Sequence, residues 1–295
     1  MKFAITATDR FLGVFEAFVN AGWEPLKLFT VPVSHPLSNQ QGVINFAQKH
    51  NAAIQLSRMT EHDLAELQQL GCEALIVASY DWKIYDWQPY LKYAVNFHSS
   101  PLPDGRGPYP VFRAILENRP FWGITCHQVS PEIDQGAMLA VESFPLQADE
   151  CHESIDLKVQ MAAKRLASRV ANNFATLWEH AQAQSPGDYW QKTTFQERCI
   201  NFNQPVATIL RHIRAYGSTE SMANLNNNWF VIKRALGWPE THTLPAGYIA
   251  HVFNRTLVVA ATDGYIALVD CDMVPPHVIA NALAAEKSHK PISPS

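Results

Sequence analysis

The sequence predicts an α/β protein: an open, mostly parallel sheet with helices on both faces, followed by a small β-rich domain. Three observations carry that class. The first hundred residues alternate strand-like and helix-like segments, the pattern of a parallel sheet with crossover helices. Residues 74–78 (ALIVA) are apolar throughout, as in a strand buried on both faces. Beyond Ser185-Pro186-Gly187 the helical period gives way to short β-like runs punctuated by turn residues.

The elements follow in order. Residues 2–8 (KFAITAT) read as a strand, and 10–21 as a helix with Phe11, Val14, Phe15 and Phe18 on one face. A second strand spans 26–33, a short helix 42–50 and a weaker strand 52–56. The helix over 61–70 stops at Gly71, a C-cap residue. Strands at 74–78 and 93–98 complete the run, and ligand is expected beyond their carboxyl ends. A helix over 110–118 places Val111, Ala114 and Ile115 on one side. Strands at 122–129 and 137–144 flank a polar loop, 130–136. The longest helix is read over 150–183, where Ile155, Val159, Ala162, Leu166, Val170, Phe174 and Leu177 form a stripe. The domain boundary is placed in 184–200: a first domain over 1–184, a linker over 185–199 and a second domain over 200–283. In the second, a helix over 206–216 precedes strands at 229–233, 247–253, 256–261 and 265–270, which suit a small barrel, an OB-like one among the options. Residues 284–295 read as a mobile tail.

Composition narrows the function. Of 295 residues 47% are apolar and 17% charged, which is globular rather than disordered. No apolar run is long enough to span a membrane, and the first apolar stretch meets Asp9 and Arg10 too soon for a signal peptide. Five cysteines are scattered without a Cys-x-x-Cys, against a disulfide framework or zinc ribbon, so a reducing, cytoplasmic setting is expected. A net charge of -4 gives no global attraction to nucleic acid or anionic lipid. The glycine fingerprint of dinucleotide binding, the Walker loop, the zincin helix and the serine nucleophile elbow are all missing. His152, His180 and His242 stand alone and read as surface histidines.

One segment carries chemistry. Asn96 and His98 lie two residues apart at the end of a strand, so their side chains share a side. An amide donor beside an imidazole can hold the oxygen of a carbonyl under attack and pass a proton. The pair alone reads first as a turn-capping Asn and a satisfied, partly buried His. A second patch, Gly123-Ile124-Thr125 through Ile133-Asp134-Gln135-Gly136, places a carboxylate in a loop between strands. Beside His98, Asp134 would favour the imidazolium.

Together the patches resemble the formyltransferase family that uses formyl-tetrahydrofolate. The resemblance rests on Asn96-x-His98-x-Ser100, Leu102-Pro103, Arg106-Gly107, Pro110, Ala114-Ile115, Gly123-Ile124-Thr125 and Asp134-Gln135-Gly136, in order and at the expected spacing. It implies a Rossmann-like catalytic domain and, more weakly over 200–280, the OB-like C-terminal domain of methionyl-tRNA and UDP-aminoarabinose formyltransferases. By the same resemblance Asn96, His98 and Asp134 are the catalytic trio. Asn96 and a protonated His98 would stabilise the oxyanion while Asp134 holds the His, with 10-formyltetrahydrofolate as formyl donor and no metal. The pterin of the donor is expected against the loops holding Tyr80, Trp82, Ile84, Ser130 and Ile133. Tyr80 and Trp82 serve as well to cover the sheet edge. Ser100, Arg106 and Gly107 are assigned to the acceptor, Arg106 either for its phosphate or carboxylate or as a structural ion pair.

The acceptor is read as a small primary amine, an amino-sugar nucleotide first. Methionyl-tRNA formyltransferases carry a basic insertion after the second strand, whereas residues 31–48 contain no Lys or Arg. Residues 200–280 hold five basic and five acidic side chains, a poor clamp for tRNA. The family's Trp-Pro-Gly turn is replaced by Tyr216-Gly217-Ser218-Thr219. The stripe Lys158, Arg165, Arg169 reads as a solvated helix face. Transfer to methionyl-tRNA is the alternative. A formyltetrahydrofolate hydrolase is disfavoured because the catalytic pattern begins at Lys2, without the extra N-terminal domain such enzymes carry. An inactive scaffold is disfavoured by the intact trio.

Overall fold

The computed structural model describes residues 1–30, 39–80, 82–84 and 86–288. The first part of 31–48, residue 81 in the loop expected to hold the donor, and the end of the expected tail lie outside them. Two compact units form: Met1–Pro110, Pro120–Leu146 and Ile155–Trp190 in one, and Val111–Arg119, Gln147–Ser154 and Gln191–Ser295 in the other.

The first unit is built on a seven-stranded sheet. Its strands are β1 (Lys2–Ala7), β2 (Glu24–Phe29), β3 (Ala53–Gln55), β4 (Ala74–Ala78), β5 (Tyr93–His98), β6 (Phe121–Gln128) and β7 (Met138–Pro145). Their spatial order is β3-β2-β1-β4-β5-β6-β7. β1 to β5 pair in parallel, whereas β6 and β7 are antiparallel additions. The order reverses between β1 and β4, the switch point beside which an open α/β sheet leaves a crevice at its carboxyl edge. The expected sheet is therefore present, antiparallel at one edge.

Helices α1 (Leu12–Asn20), α2 (Gln41–Lys49) and α3 (Glu61–Gln69) connect the early strands. Asp9, just past β1, accepts hydrogen bonds from Gly42 N at 2.9 Å and Val43 N at 2.8 Å, satisfying donors that open α2. Thr60 and Asp63 close a capping box on α3. One face of the sheet packs Phe3 against Phe15, Phe18 and Trp23. The other buries Ala4, Phe29, Leu64, Leu67, Leu75 and Val77 together.

The long helix differs from expectation. α4 (Pro110–Leu116) is followed by α5 (His152–Asn172) and a separate α6 (Phe174–Glu179). The break falls at Asn172-Asn173, where Asn side chains bond back to Ser168 O and Arg169 O, a local competition with the helix that apolar periodicity does not register. The basic stripe of α5 pins it to β7. Arg165 pairs with Glu142 at 3.0 Å, Arg169 donates to Val141 O at 2.6 Å and Lys158 to Pro145 O at 3.3 Å.

The second unit contains a short α7 (Phe195–Arg198), then α8 (Val206–Glu220) and strands β8 (Met222–Leu225), β9 (Asn228–Pro239), β10 (Ile249–Phe253), β11 (Thr256–Ala260) and β12 (Gly264–Val274). They form an antiparallel sheet in the order β10-β11-β12-β9-β8. Ile200, Phe202, Ile209, Ile213, Ile232, Ile266 and Leu268 fill its core. The β-rich character matches the sequence reading. Three elements were not expected: α7 within the expected linker, β8, and α9 (Pro276–Ser288), which makes 284–288 helical rather than tail. α8 also extends past the expected 216, with Gly217 at φ 64 interrupting its helical geometry.

Candidate active site

β5 delivers Asn96 and His98 on one side of the strand, with Phe97 turned into the core against Phe18. β6 runs antiparallel beside it, so that Asn96 faces His127 and His98 faces Thr125 across the ladder. Thr125 Oγ1 accepts from Leu102 N at 3.0 Å and donates to Ser100 O at 2.7 Å. Trp122 Nε1 holds Ser99 O at 2.9 Å. These bonds fold the chain after His98 back over the sheet.

The loop between β6 and β7 brings in Asp134, whose backbone is left-handed at φ 57. Its Oδ2 accepts from Gly107 N at 2.9 Å, and its Oδ1 lies 3.5 Å from His98 Nδ1 and 3.6 Å from His127 Nε2. The side chains of His98 and Asp134 are only 10% and 9% exposed. Gly107 admits no side chain: at φ 106, a Cβ would stand 2.2 Å from Trp190 O.

Partners settle the proton positions. His98 Nε2 lies 2.8 Å from Gly105 O, a carbonyl that can only accept, so Nε2 carries hydrogen and Nδ1 is the titrating atom. His127 Nδ1 lies 2.8 Å from Gln128 O and is likewise the donor. His127 Nε2 then accepts from Asn96 Nδ2 at 3.1 Å, while the same amide nitrogen donates to Asp134 Oδ1 at a longer 3.4 Å. Two acceptors thus fix which way the Asn96 amide points.

Burial acts on both ionisable partners. For His98 desolvation pushes the pKa below its ordinary value and outweighs the opposing pull of Asp134 and Gly105 O. Desolvation thus favours the neutral imidazole at rest, while Asp134 pulls toward the imidazolium. For Asp134 burial alone would raise the pKa, but His98, His127 and the Gly107 N–H together hold it well below the usual carboxylate range. The resting site pairs an ionised carboxylate with a neutral base.

The structure brings Asn96, His98, Asp134 and Gly107 together. Arg106 is 7% exposed. Its donors go to neutral oxygens: Nε and Nη2 to Gln184 Oε1 at 3.1 and 2.9 Å, and Nη2 to Ser185 O at 2.9 Å. With Gln135, Gln184, Ser185, Pro186 and Gly187 it lines a depression of ≈ 360 Å³. Ser100 lies apart, fully buried, its hydroxyl without a hydrogen-bond partner among the described residues.

The residues expected around the donor lie beyond β4. Tyr80 Oη accepts from Met59 N at 2.7 Å, Tyr80 meets Trp82 edge to face at 5.2 Å, and Tyr80 and Ile84 pack on the core. Trp87 Nε1 donates to Val129 O at 3.3 Å, tying this loop to the chain that leads to Ser130. Ser130 Oγ donates to Glu132 O at 2.7 Å, and Ile133 is 38% exposed. Among the described residues, no group of three or more His, Cys, Asp or Glu is arranged to hold a metal, and no helix is long and apolar enough to cross a membrane.

Sequence reasoning missed two groups. His127 was readable only as a strand residue, and its place opposite Asn96 depends on the β5–β6 register. Gln184 sat at the expected domain boundary, yet its Nε2 donates to both Asp134 O and Gly136 O at 2.8 Å.

Comparison with known proteins places the chain. Residues 35–171 match the family model "Formyl transferase", and residues 192–273 match "Formyl transferase, C-terminal domain". A methionyl-tRNA formyltransferase of Anaplasma marginale is 29% identical over 177 residues, covering 58% of this chain and 58% of that protein. HypX from Aquifex aeolicus, solved with tetrahydrofolic acid, superposes with a TM-score of 0.66 at 17% identity, covering 96% of this chain and 47% of that one. The N-formyltransferase from Helicobacter canadensis, solved with folinic acid and dTDP-3-aminofucose, gives a TM-score of 0.63 at 16% identity and covers 90% of this chain and 98% of that one. The chain thus spans little more than half the length of the Anaplasma relative and about half of HypX.

Proposed function

The chain belongs to the formyl transferase family, and from that premise we propose that it moves a formyl group from 10-formyltetrahydrofolate to the primary amine of a small acceptor, an amino-sugar nucleotide. The convergence of Asn96, His98 and Asp134 beyond the carboxyl end of β5 carries this reading. The donor supplies an activated formyl carbon, and the loops of Tyr80, Trp82, Ile84, Ser130 and Ile133 are where its pterin is placed.

The protein's own groups then divide the work. Asn96 keeps its shorter bond to His127 and gives up the 3.4 Å contact with Asp134 to donate to the formyl oxygen as charge builds there. As the amine attacks, the proton it sheds is taken up at His98 Nδ1, the neutral lone pair facing Asp134. Asp134 stabilises the imidazolium so formed, and the proton leaves again for the folate nitrogen as its bond to the formyl carbon breaks. Burial keeps His98 unprotonated until the amine attacks, the adjacent Asp134 offsets the cost of charging it, and Gly107 N holds Asp134 in place for that role.

Two observations favour a small anionic acceptor. The Arg106 guanidinium lines the ≈ 360 Å³ depression with its donors on neutral oxygens, which favours a phosphate-bearing ligand nearby. In the C-terminal unit, Lys233 is paired with Asp272 at 2.6 Å, and the five basic side chains of residues 200–280 are balanced by five acidic ones, which disfavours a clamp for tRNA phosphates. The Helicobacter canadensis enzyme, solved with an amino-sugar nucleotide, supports the same choice. The naming of the Anaplasma relative supports the second reading, transfer to methionyl-tRNA.

Isothermal titration with folinic acid, followed by dTDP-3-aminofucose and by total tRNA in separate cells, decides between them. Folate binding with a further response to the amino sugar is the expected result. A response to tRNA alone selects the second reading, and no folate binding overturns both.

A further inference from the structure

Asp134 sits in a loop whose shape is not self-supporting. Its left-handed backbone, φ 57, is a conformation in which few residues other than Gly rest, although Asp tolerates it better than most. The turn is held from outside. Gln184 Nε2 donates to the carbonyls of Asp134 and Gly136, each at 2.8 Å, so one amide gathers the residues on either side of Gln135. Gly136 packs against Gln128 O so closely that a Cβ would stand 1.8 Å from it, which closes the loop from the other side.

The orientation of the Gln184 amide is unambiguous. Its Oε1 receives Arg106 Nε and Nη2, which can only donate, so the NH₂ must face the two carbonyls, which can only accept. The segment bearing Gln184 is tied at both ends. Gln182 exchanges backbone hydrogen bonds with Met138 at 2.8 and 2.9 Å, and Trp190 N donates to Arg106 O at 2.7 Å. Between them Gly187 lies flat on Pro103 O, and Trp190 stacks on Trp122 with ring centroids 5.8 Å apart. Residues 182–190 are therefore a strap across the Asp134 loop and the 103–107 loop, with Gln184 as the contact to the first.

We propose that Gln184 is a positioning residue for Asp134, using its Arg106-anchored amide to hold the main chain that aims the carboxylate at His98. The Gln184 amide bonds to the carbonyls of Asp134 and Gly136 and not to His98, so it acts through the Asp134 backbone. The proposal rests on the catalytic reading of Asp134 above. The 3.5 Å separation of Asp134 Oδ1 and His98 Nδ1 leaves little slack, and displacements near 1 Å at a reacting group cost on the order of a hundredfold.

Two substitutions separate aiming from mere support. Gln184→Met keeps the length of the side chain and removes both its donors and its acceptor. Gln184→Glu restores an acceptor for Arg106, as an ion pair, but leaves nothing to donate to the carbonyls. Each is assayed for formyl transfer from 10-formyltetrahydrofolate to dTDP-3-aminofucose and, separately, to aminoacylated tRNA. His98 is titrated by NMR, and Asp134→Asn runs in parallel. Both Gln184 variants are expected to lose about 10- to 100-fold in kcat, with the donor KM unchanged within about twofold. The His98 midpoint should fall in Gln184→Met as the carboxylate withdraws, while Gln184→Glu recovers melting temperature without recovering kcat. Wild-type kcat in Gln184→Glu would assign Gln184 to Arg106 alone and overturn the proposal. So would losses in both variants that track melting temperature with no change in the His98 midpoint. An active Asp134→Asn protein would instead remove the reading beneath it.

Discussion

Replacing His127 by Leu tests how Asn96 is aimed. His127 is buried directly opposite Asn96 in the β5–β6 ladder and accepts its amide at 3.1 Å. A buried hydrogen bond of this kind is worth about 0.5–1.5 kcal/mol net. If all of that is used to hold the amide for the transition state, the loss in kcat/KM is about two- to tenfold. Asn96→Ala alone should cost at least about a hundredfold, the scale of a missing oxyanion donor. The two must not multiply, because His127 acts through Asn96: Asn96→Ala with His127→Leu should stay within about twofold of Asn96→Ala. Formyl transfer from 10-formyltetrahydrofolate under subsaturating donor gives the four rates of the cycle. The leucine also strips Gln128 O of a donor, a cost common to both arms and visible in melting temperature. Rates that multiply would show that His127 works independently of Asn96 and refute the reasoning.

Other outcomes follow from the same geometry. His98→Ala and Asp134→Asn should each lose at least about a hundredfold in turnover, and full activity of His98→Ala would remove it from the mechanism. Gly107→Ala forces a side chain onto Trp190 O at φ 106 and should cost about 1–3 kcal/mol of backbone strain, read as a lowered melting temperature. Because burial lowers the pKa of His98, the unfolded chain takes up that proton first, so folding stability falls as pH drops below about 6.5, and His98→Asn should flatten that limb in pH-dependent denaturation. Equal slopes for the two proteins would contradict it. The low pKa of Asp134 adds a separate loss below about pH 3.8, absent from Asp134→Asn. Arg106→Ala should raise the KM of the acceptor more than that of the folate, measured by varying each in turn; equal effects would make the residue structural.

Much of the fold was legible because its signals are local. Residues 74–78 read as a fully buried strand on composition alone, and Gly71, read as the end of the helix over 61–70, follows α3 in the structure at φ 76. The catalytic candidates were legible for another reason: an ordered set of short motifs places Asn96, His98 and Asp134 before any contact is known. What escaped depends on partners far along the chain. His127 becomes part of the cluster only through antiparallel register, and Gln184 only through a strap that returns 50 residues after Asp134. The pull of Asp134 on His98 is visible in a motif, whereas the opposing cost of burying the imidazolium is not. The break at Asn173 escaped because apolar spacing continued through it.

The most direct measurement follows radiolabelled formyl from 10-formyltetrahydrofolate into a mixture of dTDP-3-aminofucose and aminoacylated tRNA, with wild-type protein and with Asp134→Asn. Label in the amino sugar with wild type, and none with the variant, is the result expected. Label that appears only in tRNA, only as free formate, or undiminished with Asp134→Asn would contradict it.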